Sequence, residues 1–337
     1  MGFSSQSGQL ILRTQTAQGT YNADVATGGV AMKTRSGTLG PSRELLIPDP
    51  EIGGGRDVTD ALLGAVSWAG DYEFYARPDS LATLLRAALG TAGAPATTAG
   101  VTTHTITPSD SSLPYLSIEE RISSGLEVFQ YTDCVVNTLH LEADANGYLM
   151  GTVGLIAARQ VAGGTASTPT YVDELPLMVG TNIAVQYNGV TLPAKSFSLD
   201  INNNFEDDDF RLGSFYIGDL TPKRREVTAS FNIREANSAL WRQAVYGTSA
   251  ATQAGGVTTK QALVITASTY EDIVGGAGTK YQIGINIPKY TLTPFALSVS
   301  GDDIIEDDIA GQALRPAIGT PLLTATIKTG ATGATIK

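Results

Sequence analysis

A stretch that this chain carries twice constrains its fold more than anything else in it. The clearer copy runs Phe210-Arg211-Leu212-Gly213-Ser214-Phe215-Tyr216-Ile217-Gly218, then Lys223 to Ile233, and closes on Ala239 to Thr248. Val227, Ala229, Phe231 and Ile233 alternate with polar residues, the period of a half-buried strand. Leu240, Trp241, Ala244 and Val245 follow at helical spacing and stop at Gly247. The earlier copy is Trp68 to Thr91. In it Tyr72, Phe74 and Ala76 alternate, and Leu84-Leu85-Arg86-Ala87-Ala88-Leu89-Gly90-Thr91 mirrors Leu240 to Thr248. Downstream, Gly100-Val101-Thr102-Thr103 returns 156 residues later as Gly256-Val257-Thr258-Thr259. At the same offset Asp133-Cys134 meets Lys289-Tyr290, and Leu139 and Leu141 meet Phe295 and Leu297. Identity between the copies is low, so the reading is a duplicated fold: two related domains in one chain.

The organisation follows from that duplication. Residues 1–30 read as an extended N-terminal arm, apolar only at Leu10-Ile11-Leu12. Residues 31–165 form the first domain and 166–337 the second. In the first, a strand falls within 31–39, and Pro48, Pro50 and Gly53-Gly54-Gly55 make Gly40–Asp60 a long loop. Trp68–Ala76 is a strand and Asp79–Leu89 a helix, with Asp79 or Ser80 as N-cap. Gly90–Thr103 is an uncharged Ala/Thr/Gly linker. Strands follow at 113–121 and 126–136, then a hairpin of Asn137–Ala143 and Tyr148–Ala157 turning at Asn146-Gly147. In the second domain, strands at 182–187 and 195–201 are joined by Asn188-Gly189. The loop Asn202–Asp209 matches Gly40–Asp60, and a linker spans 247–259. Strands at 261–267, 280–287 and 290–299, an acidic excursion at 301–310 and a last strand at 321–328 complete the chain. The fold class is mainly β: two β-sandwich or open-barrel domains, each with one short helix.

Composition narrows function. The chain has 33 Asp and Glu against 22 Lys and Arg, net −11, which argues against gripping nucleic acid and permits holding it at a distance. The single cysteine, Cys134, allows no internal disulfide and reads as a buried, inert thiol. The N-terminus lacks a signal-peptide pattern, Gln6 stands where a myristoylation motif needs Ser or Thr, and no stretch is apolar enough to span a membrane. A soluble protein made in the cytosol is expected.

Catalysis finds little support. His104 lies in the Ala/Thr linker and His140 on a strand, neither near a nucleophile, and there is no phosphate-binding loop or Gly-x-Ser-x-Gly elbow. Both histidines read as polar surface residues rather than bases. The acidic clusters Glu206-Asp207-Asp208-Asp209 and Asp302-Asp303 with Glu306-Asp307-Asp308 lack calcium-loop spacing. No metal, cofactor or enzyme activity is expected. Trp68 and Trp241 read as core anchors.

Three features carry a family resemblance. They are the strand, long loop, strand and helix ending in Phe231-Asn232-Ile233 through Gly247, the loop with Arg211-Leu212-Gly213-Ser214, and Ala296-Leu297-Ser298-Val299-Ser300-Gly301-Asp302-Asp303-Ile304-Ile305-Glu306-Asp307 before a final strand. The chain resembles the tail tube (major tail) proteins of long-tailed, siphovirus-like bacteriophages, in a doubled-domain form. The resemblance implies that each domain gives four strands to a continuous inner barrel, that six domains close a ring, and that rings stack into a tube conducting the genome. A doubled chain implies three chains per ring with pseudo-sixfold symmetry. Implied partners are further copies of itself, a tape measure protein, and tail tip or terminator proteins, with DNA passing without tight binding and no membrane involved. The implied site is the virion tail.

On this reading the long loops carry inter-ring contacts. The candidates are Arg43, Glu44, Asp49, Glu51, Arg56 and Asp57 in the first, Gly40–Asp60, and Glu206, Asp207, Asp208, Asp209 and Arg211 in the second, Asn202–Pro222, with Lys223, Arg224 and Arg225 just after it. Lumen candidates are His140, Glu142, Asp200 and Glu226. The alternatives are the tube of a contractile machine, built of single-domain chains, and a two-domain β-sandwich binding module, a virion surface or receptor-binding protein.

Overall fold

The computed structural model describes residues 4–22, 29–54, 56–124, 126–169, 171, 177–234, 238–297 and 306–330. The expected strand residues 298 and 299 and the acids Asp302 and Asp303 lie outside them. The first half contains β1 (Gln9–Thr14), β2 (Val30–Met32), β3 (Thr34–Gly37), β4 (Gly40–Leu46), β5 (Leu62–Tyr75), helix α1 (Pro78–Leu89), β6 (Gly90–Ala92), β7 (Ala96–Thr98), β8 (Val101–Pro108), β9 (Leu116–Arg121), β10 (Phe129–Asp144) and β11 (Met150–Ala162). The second half contains β12 (Ile183–Tyr187), β13 (Val190–Thr191), β14 (Ala194–Asn202), β15 (Phe205–Glu206), β16 (Thr221–Pro222), β17 (Glu226–Arg234), helix α2 (Ala239–Tyr246), β18 (Gln261–Asp272), β19 (Lys280–Leu292), β20 (Glu306–Ala313) and β21 (Thr324–Gly330).

One antiparallel ladder runs through both halves in the order β4–β5–β11–β10–β14–β17–β20. β10 makes this continuity possible because it serves two partners along one edge. Its first part, Phe129–Cys134, pairs with β9, and its second part, Thr138–Asp144, pairs with β14. A second layer branches off as β10–β9–β1–β2 on one side and β20–β19–β18–β12 on the other. Among the described residues, no ladder returns to close the sheet on itself.

The alternation seen in the sequence decides which face is buried. Leu139, Leu141, Leu199, Ile201, Val227, Ala229, Phe231, Ile233 and Ile309 share one face and one hydrophobic core with Tyr72, Phe74 and α1. α1 begins with Pro78 at its first turn and buries ten of its twelve residues. Asn188 and Gly189 both have positive φ, 53° and 74°, the mirror-image turn that a two-residue connection from β12 to β13 requires. The pair Cys134↔Ala157 on β10 and β11 recurs 156 residues later as Tyr290↔Ala313 on β19 and β20.

Several expectations need correction. Leu10, Ile11 and Leu12 are not part of a loose arm: they sit in β1, at most 3% exposed, between β2 and β9. Successive apolar residues fit there because both faces of β1 are covered, with Ile11 against Ala31. The expected loop begins with a strand, since Gly40–Leu46 pairs with β5. That strand is solvent-exposed on both faces and so carries no alternation.

The Gly90–Thr103 linker is β6, β7 and the start of β8, and β8 crosses to pair with β21 of the second half. His104 is 1% exposed on β8, one of the buried alternate positions Thr102, His104 and Ile106. Val257, its expected echo of Val101, precedes β18 in irregular backbone. The two strands expected at 280–287 and 290–299 begin as one, β19. Residues 306–310 are strand, not an acidic excursion, and Asp307 is 4% exposed on the core side. Trp68 is buried as expected, whereas Trp241 is half-buried against Tyr246, because α2 buries only Gln243 and Ala244.

Candidate functional site

The face of the ladder opposite the core is largely polar along its central rows. In register across it run Glu73, Thr152, His140, Asp200, Thr228 and Gln312. A neighbouring row holds Met150, Glu142, Ser198, Ser230 and Ala310, and another Thr138, Asn202 and Glu226. The four lumen candidates therefore share one face, with His140 and Glu142 on β10, Asp200 on β14 and Glu226 on β17. Asp71, Asp144, Glu306 and Asp308 occupy the same face by alternation. The cations that reach it stand at its margin: Arg35 lies 3.9 Å from Glu73, Lys195 pairs with Glu306, and Arg234 is opposite Glu306.

His140 sits at the junction between the two halves. Its Nδ1 lies 2.6 Å from Asp200 Oδ1 and its Nε2 3.3 Å from Glu142 Oε2. The Asp200 hydrogen bond, helped by Glu142 and opposed by partial burial, raises its pKa from 6.5 to about 8. A raised folded-state pKa stabilises the protein fully below the unfolded value. That contribution is lost as pH rises through the folded one. We expect the unfolding midpoint of the wild-type protein to fall between pH 6.5 and 8. Denaturation of His140→Gln over the same range checks this, and the variant should lack that step.

The 203–225 segment ties the halves together. Asn203, 2% exposed, donates from Nδ2 to the carbonyls of Ala88 (3.0 Å) and Val136 (2.9 Å) and accepts from Arg225 Nε at 2.9 Å. Arg225 also donates to the carbonyls of Leu89 and Ser109. Its burial lowers its pKa. These contacts satisfy carbonyls at the end of α1 that the helix leaves without partners. Phe205, Ile217 and Leu220 pack on Val135, Ile156 and Ala158 of the first half. Replacing Asn203 by alanine strands buried polar groups and should cost about 3 kcal/mol, measured by chemical denaturation.

The structure places the inter-ring candidates in two groups. Arg211 bonds Asp209 (2.6 Å) and Asp219 (2.8 Å), Lys223 lies 3.5 Å from Glu206, and Arg225 is the clamp just described. Arg211 and Lys223 have partners inside the loop, and Arg225 reaches the first half. Arg43, Glu44, Asp49, Glu51, Arg56, Asp57, Asp207, Asp208 and Arg224 are exposed, and Arg43 Nε donates to Gly64 O at 2.8 Å. The sequence reading missed the clamp, because nothing local in Asn203 or Arg225 announces a helix end 115 or more residues away.

Among the described residues the ladder has an open edge at each end. Among the described residues, β3 and β4 pair only with β5. At the other end, among the described residues, β20 pairs with β19 at Gly311–Ala313, and Thr293 N donates to Ala310 O (2.8 Å) as the chain runs on beside it. Among the described residues, no group of three His, Cys, Asp or Glu is placed to hold a metal, and no helix is long and apolar enough to cross a membrane. No curated protein matches the sequence. A family profile described as phage tail tube protein matches residues 5–313, nearly the whole chain. A β-rich chain with one polar sheet face, open edges and that match belongs to the phage tail tube protein family, structural components of the virion tail rather than enzymes.

Proposed function

We propose that three of these chains, each contributing two related halves, close into a pseudo-sixfold ring. Such rings would stack into the tube through which a long-tailed phage delivers its DNA. The observation that carries this reading is the β10–β14 junction, where the two halves already join edge to edge inside one chain. Repeating that junction between chains would seat the 293–297 segment of one copy on β3 and β4 of the next. Leu297, at the repeat offset from Leu141, is 37% exposed, whereas Leu141, covered by β14, is 3% exposed. Open edges are a liability unless something pairs with them, and ring closure supplies that partner.

The polar face then lines the lumen. Duplex DNA carries a charge about every 1.7 Å, so a basic lining would hold it, whereas acids repel it over a Debye length of about 8 Å. The family context adds length-setting and end-capping tail proteins as partners and the virion tail as the site. Electron microscopy of the concentrated protein tests the reading. Rings and tubes are expected, and a population that stays monomeric at the highest attainable concentration would contradict it.

A further inference from the structure

The two ends of the ladder's strands carry complementary apolar surfaces. At one end, beyond the last residue of β14, the 207–220 loop raises Phe210, Leu212 and Phe215, which are 45%, 106% and 65% exposed. This loop is held firmly. Arg211 staples it through Asp209 and Asp219, Gln18 Nε2 donates to Asp219 at 2.9 Å, and Val66 N donates to Phe215 O at 2.8 Å. A turn fixed in this way presents an apolar tip without the entropy cost of ordering it on contact. Gly213, with φ 83°, provides the left-handed residue that closes the turn just after Leu212.

At the other end, where β17 stops, an apolar pocket of about 370 Å³ opens beside α2. Its walls include Tyr187, Val190, Leu192, Pro193, Ile233 and Leu240. Val190 is 62% exposed at its mouth.

A protruding tip and a hollow at opposite ends of one chain cannot satisfy each other within that chain. Head-to-tail association brings them together, and such heterologous contacts generate open filaments wherever the rotation between copies does not close a ring. We propose that the turn carrying Leu212 seats in the pocket beside α2 of a second copy of this chain, in the adjacent ring. The inference rests on the tube reading and adds the axial joint to it. The joint is apolar at its centre. Arg211, Asp209 and Asp219 hold the tip in shape from within the loop, and the exposed Asp207 and Asp208 stand at its rim.

Two experiments on the full chain test this. Leu212 is fully exposed, so Leu212→Ser leaves folding untouched. It should form rings as readily as wild type but need at least about tenfold more protein to form tubes, as expected when an interface anchor is removed. Next, Leu212→Cys combined with Val190→Cys should give disulfide-linked chains longer than dimers when assembled protein is oxidised, and neither single variant should. The native Cys134 is buried and stays out of the reaction. Tubes of Leu212→Ser forming at the wild-type concentration, or tubes of the double variant without cross-links, would overturn this joint and leave the tube reading standing. A wild-type chain that forms no rings at all would remove the tube reading, and this joint with it.

Discussion

Leu297→Asp is expected to yield a folded protein that no longer closes into rings. The side chain is 37% exposed in the single chain, so the isolated fold loses little. In the closed ring it would occupy the place of Leu141, which the β14 ladder covers within the chain. A carboxylate buried there without a partner costs about 3 kcal/mol or more at each junction, a factor of about 100 or more in association. Every junction of a ring carries the same lesion, so the effect compounds. Light scattering should report monomers at concentrations where the wild type assembles, with an unchanged thermal midpoint. Rings from this variant at wild-type concentrations would place the lateral contact elsewhere.

Reversing the charge of the polar face should turn it into a DNA-binding surface. Glu142, Asp144 and Glu226 are exposed on that face. Replacing all three by lysine would give each ring nine new cations pointing one way. Proteins making six to ten phosphate contacts lose about 10³–10⁵ in affinity between 50 and 200 mM salt. Tubes of the triple variant should bind duplex DNA tightly at low salt and release it steeply as salt rises. Wild-type tubes should show no such binding. Tight, salt-sensitive binding by the wild type would mean that the acidic face is not what DNA meets.

The parts of this structure that were legible in the sequence are those where one face of a strand is buried. Val227, Ala229, Phe231 and Ile233 announced β17, and Asn146-Gly147 announced the turn between β10 and β11, because burial on one side imposes a period of two. Asp200 and Glu226 could be named as polar residues of strand-like segments, whereas the face they share is set by the pairing of β14 with β17. What the sequence could not supply was the register that sets His140 against Asp200, since that depends on pairing between halves.

Elements without an apolar alternation on one buried face were not legible as strands. β4 is exposed on both faces, and β8 is built largely of threonine around the buried His104. β1 is buried on both sides, so its apolar run looked like an isolated patch on an arm. The loop candidates fared differently again. Their charges were visible as clusters, but whether a charge stays within its own loop, as Arg211 does, is decided by tertiary folding.

The measurement that bears most directly on the central claim is the number of chains in one ring, counted from cross-sections of assembled tubes by cryo-electron microscopy. Three chains per ring are expected, with six similar blades and the 293–297 segment of each chain lying along β3 and β4 of its neighbour. Six chains per ring, or a ring joined through other edges, would contradict it.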